Sequence, residues 1–347
     1  MEKKSIFVIA CMAIICYLLV TLFCLSSCSQ KTKQGYFCDN HKVIDDVSDS
    51  VSLAGSRIIA LDSTTFAFSV NVVGRHIVLI TGNRDSVLAV YGLDGKKEGT
   101  FGKIGNARNE FTMGLMLNGQ FDGSKFWIHD VNAMSLASIN IKSSLESGTV
   151  VLGESFKTDP RTMNAFYIND HTVAYDSETA DNYQFKIENP SGRQTVKTID
   201  LYPPHKDAFN TYRSNMAING GGDRLAFAMV TLNQVNFMSL DGSERSSVSV
   251  YEDAKICEDP KQSIVYYSCI AANDRHVYAL YANEKQYGHS ESRPSEIHVF
   301  DWKGNFVKKI LVKDVLFRIA VDGDDNVYGL NVKSQSVIKY DVASYLK

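Results

Sequence analysis

A recurrence constrains this chain more than any other feature. A short turn rich in Gly, Asp, Asn and basic residues, followed by a β-prone run, returns six times. The turns are Gly74-Arg75-His76, Gly123-Ser124-Lys125, Asn169-Asp170-His171, Gly222-Asp223-Arg224, Asn273-Asp274-Arg275 and Asp324-Asp325-Asn326. The runs start at or beside Ile77, Phe126, Val173, Leu225, Val277 and Val327, at spacings of 49, 47, 52, 52 and 50 residues. A second strand follows in every unit, at 87–91, 136–141, 183–187, 235–240, 297–300 and 337–340. Further strands precede the turn and close the unit. No sustained helical periodicity interrupts them. Four short antiparallel strands per unit of about fifty residues, repeated six times, predict an all-β, six-bladed β-propeller. The last unit runs out after Tyr340, so residues 57–61 are expected to close the last blade, with Ile58, Ile59 and Leu61 antiparallel to 337–340.

The other end of the chain reads as an export signal. Lys3 and Lys4 precede an uncharged run at 6–25, and Leu25-Ser26-Ser27-Cys28 has the form of a bacterial lipobox. Cys28 is the expected lipid-attachment residue, because a thiol nucleophile flanked by small residues is what acylation and cleavage require. Two or more acyl chains hold a protein stably on a membrane. The expected organisation is a signal peptide at 1–27, a lipidated tether and N-terminal segment at 28–55, and one propeller domain at 56–347. Residues 29–50 are polar and acidic and read as dispensable. The expected location is the outer membrane or cell envelope. Past the signal only Cys38, Cys257 and Cys269 remain, with no CxxC and no Cys/His ligand spacing.

Two stretches carry a family resemblance. The first is Val90-Tyr91-Gly92-Leu93-Asp94-Gly95-Lys96 with Phe101-Gly102-Lys103-Ile104-Gly105-Asn106-Ala107-Arg108-Asn109-Glu110-Phe111. The second is Glu296-Ile297-His298-Val299-Phe300-Asp301-Trp302-Lys303-Gly304-Asn305, continued by Tyr328-Gly329-Leu330 and Ile338-Lys339-Tyr340-Asp341. They resemble the TolB-like six-bladed β-propeller lipoproteins of diderm bacteria, with Asn109 where that family often has Gly. The resemblance implies a fold and a location rather than an activity.

Composition excludes some functions. A net charge of −3 with scattered Lys and Arg gives no basic stripe, so no nucleic-acid partner is expected. Gly102 and Gly105 lack the GK[ST] of a phosphate loop and read as an inter-blade turn. Asp322, Asp324 and Asn326 begin like a calcium loop, but Val327 stands at the sixth position and Lys333 at the twelfth. His76, His171 and His276 share a repeat position on turn flanks. No GxSxG accompanies the Ser, His and Asp residues. No catalytic, metal or cofactor site is expected. The insertion at 283–295 is the longest between paired strands, and Tyr287, His289 and Arg293 on it are the candidate binding residues.

The first functional reading is therefore a monomeric, membrane-anchored scaffold that binds a protein, peptide or glycan. The alternative is an axial-pocket enzyme of the calcium-dependent lactonase or esterase type, or a lyase.

Overall fold

Three of the recurring turns close on an Asx side chain. In the computed structural model, Asn169 Oδ1 accepts the His171 N–H at 3.0 Å, Asn273 Oδ1 the Arg275 N–H at 2.9 Å and Asp322 Oδ1 the Asp324 N–H at 3.0 Å. A short Asx side chain can satisfy the backbone two residues on, which makes it a strong local turn former. The structure describes residues 36–62, 65–107, 109–112, 114–122, 125–192, 194–285, 293–331 and 333–346. The turn residues Gly123 and Ser124 lie outside them.

The strands these turns join form six sheets. Blade 1 is Ala67–Val73, His76–Thr81, Leu88–Gly92 and Lys97–Phe101. Blade 2 is Leu115–Asp122, Lys125–Asp130, Ser135–Asn140 and Leu152–Lys157; blade 3 is Ala165–Asn169, Thr172–Glu178, Tyr183–Asn189 and Gln194–Asp200. Blade 4 is Ser214–Ile218, Arg224–Met229, Val235–Ser239 and Arg245–Val250. Blade 5 is Ile264–Ala272, His276–Lys285, Ser295–Asp301 and Phe306–Val312. Blade 6 is Arg318–Val321, Asn326–Asn331, Ser336–Asp341 and, from the N-terminal side of the chain, Ser56–Ala60. Ser56–Ala60 runs antiparallel to Ser336–Asp341 with Ile59 opposite Val337, and the Leu61 N–H donates to the Gln335 carbonyl at 2.8 Å.

The segment before that strand is also bound to the ring. His41–Ile44 lies parallel to Arg245–Val250 on the outer edge of blade 4, and Ser50–Leu53 lies parallel to Phe306–Val312 on blade 5. Residues 36–50 therefore pack on the propeller, which overturns the reading of 29–50 as dispensable over that part. Their charges face outward while Phe37 and Val47 are buried.

The core is divided among the seams between blades, one hydrophobic cluster to each. A sheet with two apolar faces cannot bury both alone, so radial stacking follows. The N-terminal segment places one buried side chain in each of four consecutive seams: Phe37 between blades 3 and 4, Val47 between 4 and 5, Leu53 between 5 and 6, and Ile59 between 6 and 1. A seven-residue helix at Ile141–Ser147, too short to show a period in sequence, adds Ile141 to the seam between blades 1 and 2. Its cap is local: Asn140 Oδ1 accepts the Ser143 N–H at 2.9 Å. Gly95, in the turn that carries the first resemblance, has φ +83°, and a Cβ there would stand 2.0 Å from the Ile58 carbonyl oxygen. Only glycine allows that turn to reach the strand next door.

Candidate functional site

Antiparallel blades of four strands sort their connections onto two faces. Tight turns join first to second strands on one face. The other face carries the links between blades, such as 102–114, 201–213 and 251–263, and the loops between second and third strands. The inner strands begin on that second face, around the axis.

An axial cavity of about 220 Å³ opens among them. Many residues around it are aliphatic, but Val70, Met216 and Ile319 bury their side chains in the blade seams; the polar side chains around it are Ser69, Asn71, Asn164, Asn215, Cys269 and Arg318. Arg318 carries the only charge among the described lining residues. Its Nη1 donates to the Ser268 and Phe317 carbonyls at 3.2 and 3.0 Å, and its guanidinium lies 4.1 Å from the centre of the Phe317 ring. Phe66, Phe68 and Phe317 are 42, 48 and 42% exposed, and the first two meet edge to face at 4.9 Å. Phe68 and Arg318 both line the cavity, so the mouth is aromatic and cationic. Burial pushes the Cys269 thiol up, and its Sγ lies 3.6 Å from the Ile319 carbonyl oxygen. No carboxylate stands among the described lining residues.

A second cluster sits where blades 4 and 5 meet this face. Tyr251 donates to Glu296 Oε1 at 2.5 Å, His298 Nε2 contacts the same oxygen at 2.6 Å, and Tyr267 OH contacts His298 Nδ1 at 3.1 Å. Burial holds the His298 pKa below the usual histidine range. Nε2–H then donates to Glu296, and Nδ1 accepts from Tyr267. Burial pushes the Glu296 carboxyl up, but the bonds from His298 and Tyr251 outweigh it and hold the group below its ordinary value. Tyr266, half-buried beside Glu252, is pushed up to about 12.

The structure brings the sequence candidates to this face only in part. Arg293 is exposed, with Nη1 3.4 Å from the Ala282 carbonyl oxygen. Tyr287 and His289 lie outside the described residues, as does Cys28. The phosphate-loop candidates are an inter-blade turn: Gly102 has φ +85°, and Gly105 N–H donates to the Phe111 carbonyl. The calcium-loop candidate is a closed turn. Asp322 Oδ1 accepts from the Asp324 and Asn326 backbone, while Oδ2 accepts from the Asn326 amide and Tyr328. Among the described residues His76 Nδ1 lies 2.8 Å from Glu98 Oε2 and His276 Nδ1 3.2 Å from Asp325 Oδ1, each within the turn-face surroundings of its own blade or the next.

One Ser–His–Asp set does come together. His41 Nδ1 and Ser247 Oγ share a bond at 2.7 Å, and His41 Nε2 lies 3.0 Å from Asp253. Ser247 is fully buried under the N-terminal segment, so the set fastens that segment to blade 4 rather than meeting a substrate. Nothing local in sequence could show it, since the partners are more than 200 positions apart.

The ring defines a class, the six-bladed propellers with a wide connection face. The profile described as TolB-like 6-blade propeller-like matches residues 64–324, more than half of the chain. The chain belongs to that family. No curated protein matches it in sequence. Among solved structures, a Bacteroides fragilis NCTC 9343 protein named as exported is similar at TM-score 0.56 and 12% identity, over 87% of this chain and 98% of that one. The calcium-binding protein regucalcin of Agrobacterium tumefaciens C58 is similar at TM-score 0.45 and 11% identity, over 84 and 95%. At such identities the likeness is one of fold.

Proposed function

We propose that this protein is an extracytoplasmic scaffold, held to a membrane through a lipid on Cys28, whose connection face binds a ligand or partner at the axial mouth. The observation that carries the binding reading is the mouth itself: Phe68 and the Arg318 guanidinium line the axial cavity, and the exposed Phe66 and Phe317 rings pack against them. Exposed aromatic groups gathered at one opening mark a binding surface more often than a solvated one. The lipobox supports the anchor, and the exported B. fragilis protein is consistent with the location. No described helix is long and apolar enough to cross a membrane.

Two experiments test it. Labelled fatty acid should enter the wild-type chain and not Cys28→Ala; label in the variant ends the anchor reading. Affinity capture from native membranes should recover partners with the wild type and lose them with the Phe66→Ser/Phe68→Ser/Phe317→Ser variant. Unchanged capture by the triple variant moves the binding surface elsewhere.

A further inference from the structure

We propose that the partner of the axial mouth is the membrane that holds the lipid, with the connection face lying on the bilayer surface and its phenylalanine rings in the interface. This rests on the lipid-anchored scaffold reading and names its partner. The two faces of the ring differ in what they expose. Among the described residues, large apolar side chains are exposed at seven positions. Five stand on the connection face. Phe66, Phe68 and Phe317 are at the starts of inner strands, Met134 is in the loop between the second and third strands of blade 2, and Tyr251 opens the link 251–263. Of the other two, Val196 is on the outer edge of blade 3, and Tyr345 follows the third strand of blade 6 on the turn face. The five are spread over blades 1, 2 and 6 and the link from blade 4 to blade 5, so no single pocket gathers them. A flat apolar phase meets them all. Exposed apolar groups confined to one side of a molecule mark a membrane or protein contact.

Charge and tether select the membrane. Cations stack on two of these rings: the Arg318 guanidinium is 4.1 Å from the centre of the Phe317 ring, and Lys309 Nζ is 5.5 Å from that of Tyr251. An aromatic ring beside a long cationic side chain suits headgroup depth, with the apolar body inward and the charge among the phosphates. The tether joins on the same face. Tyr36 sits against the link 251–263, where its hydroxyl accepts the Ile256 N–H at 3.3 Å. Cys28 stands eight positions before it (36 − 28). Eight residues reach at most about 26–29 Å. A ring lying on its connection face needs little of that reach. A ring lying on its turn face would use most of it, because a six-residue strand such as Arg224–Met229 already spans about 20 Å before its turns are added.

The test is tryptophan quenching in the lipidated protein, reconstituted into vesicles of phosphatidylglycerol and brominated phosphatidylcholine, with unbrominated phosphatidylcholine as the blank. Phe317→Trp and Phe68→Trp put the reporter on the connection face, and Tyr345→Trp puts it on the turn face. Trp127 and Trp302 are common to all three, so the wild-type signal is subtracted from each. A ring ~5–10 Å into the headgroup and acyl boundary should be quenched at least about threefold more than the reporter of Tyr345→Trp. Two connection-face positions keep the comparison if one variant fails to fold. Equal quenching at the two faces, or stronger quenching of Tyr345→Trp, overturns the proposal. If quenching shows no preference while the Phe66→Ser/Phe68→Ser/Phe317→Ser variant still loses membrane partners, the mouth meets a protein, and the scaffold reading survives without the bilayer contact. Labelled fatty acid in Cys28→Ala removes the tether, and this proposal with it, whatever the mouth binds.

Discussion

The two seams that flank blade 3 are built differently. Between blades 3 and 4, nineteen buried residues form one cluster, and Phe37 from the N-terminal segment packs between Tyr202 and Phe227 at ring distances of 5.7 and 5.6 Å. Between blades 2 and 3 the described residues give only Trp127, Leu136, Ala165 and Tyr175 as a buried cluster. That seam relies instead on stacked rings, Trp127 on Tyr167 at 4.2 Å and on Phe156 at 5.4 Å, and it encloses His129. Four seams receive a side chain from the N-terminal segment and a fifth receives the helix residue Ile141; this one receives neither. A ring is only as closed as its least-filled seam. Local opening is therefore expected here first, and the N-terminal segment acts as a belt across the opposite half.

Removing the belt should have the largest effect. Deletion of 36–61 takes Phe37, Val47, Leu53 and Ile59 out of four seams. At roughly 1.5–3 kcal/mol for each buried side chain, the loss is about 6–12 kcal/mol against a total of about 5–15. The truncated chain should show no cooperative thermal transition and rapid proteolysis; a melting temperature equal to the full chain would end the belt model. Phe37→Ala is the single-residue form of the same test. It should cost about 3–5 kcal/mol by denaturant unfolding, and a value below ~1 kcal/mol would show that the Phe37 site collapses freely.

The repeat was legible because its turns are local chemistry: an Asx side chain capping a backbone two residues away leaves a signature within five positions. The same locality makes Asp322-Gly323-Asp324 imitate a metal loop while its oxygens are spent on the turn. The belt was not legible. His41–Ile44 and Ser50–Leu53 are four residues each, sit among Asp39, Asp45, Asp46 and Asp49, and pair in parallel with strands over 200 positions away. No alternation marks such strands, and the polar character of the segment hid Phe37 and Val47. The axial mouth was equally hidden. Phe66 and Arg318 read as ends of ordinary strands until the ring brings blades 6 and 1 side by side.

A pH series sharpens the comparison at the weaker seam. Burial lowers the His129 pKa from 6.5 to about 4, and its Nε2 contacts Thr158 Oγ1 at 3.1 Å. The unfolded chain then takes up the proton first as pH falls. Stability from this group is full above about 6.5, is lost as pH drops toward about 4, and is level below that. The loss over the window is up to about 3 kcal/mol. His129→Gln should flatten the stability profile between those limits relative to the wild type. An unchanged slope would place the acid-sensitive step in another seam.

The smallest effect belongs to the bare outer edges. Gln194–Asp200 closes blade 3 with no fifth strand beside it among the described residues, and Val196 on it is 66% exposed. A side chain that has left little water behind has little burial to lose, so Val196→Ser should change stability by no more than about 0.5 kcal/mol. Val51 is the matched residue on the covered side. It sits on the fifth strand of blade 5 opposite Ile310 and packs against the seam between blades 5 and 6. Val51→Ser removes the same atoms and should cost more, about 1 kcal/mol, because those atoms are partly withdrawn from water. Urea unfolding of the two variants side by side isolates the edge from the chemistry of the substitution. Equal losses would mean that the fifth strand covers the edge without packing on it, and the contrast between the belted and bare halves of the ring would reduce to the four buried side chains alone.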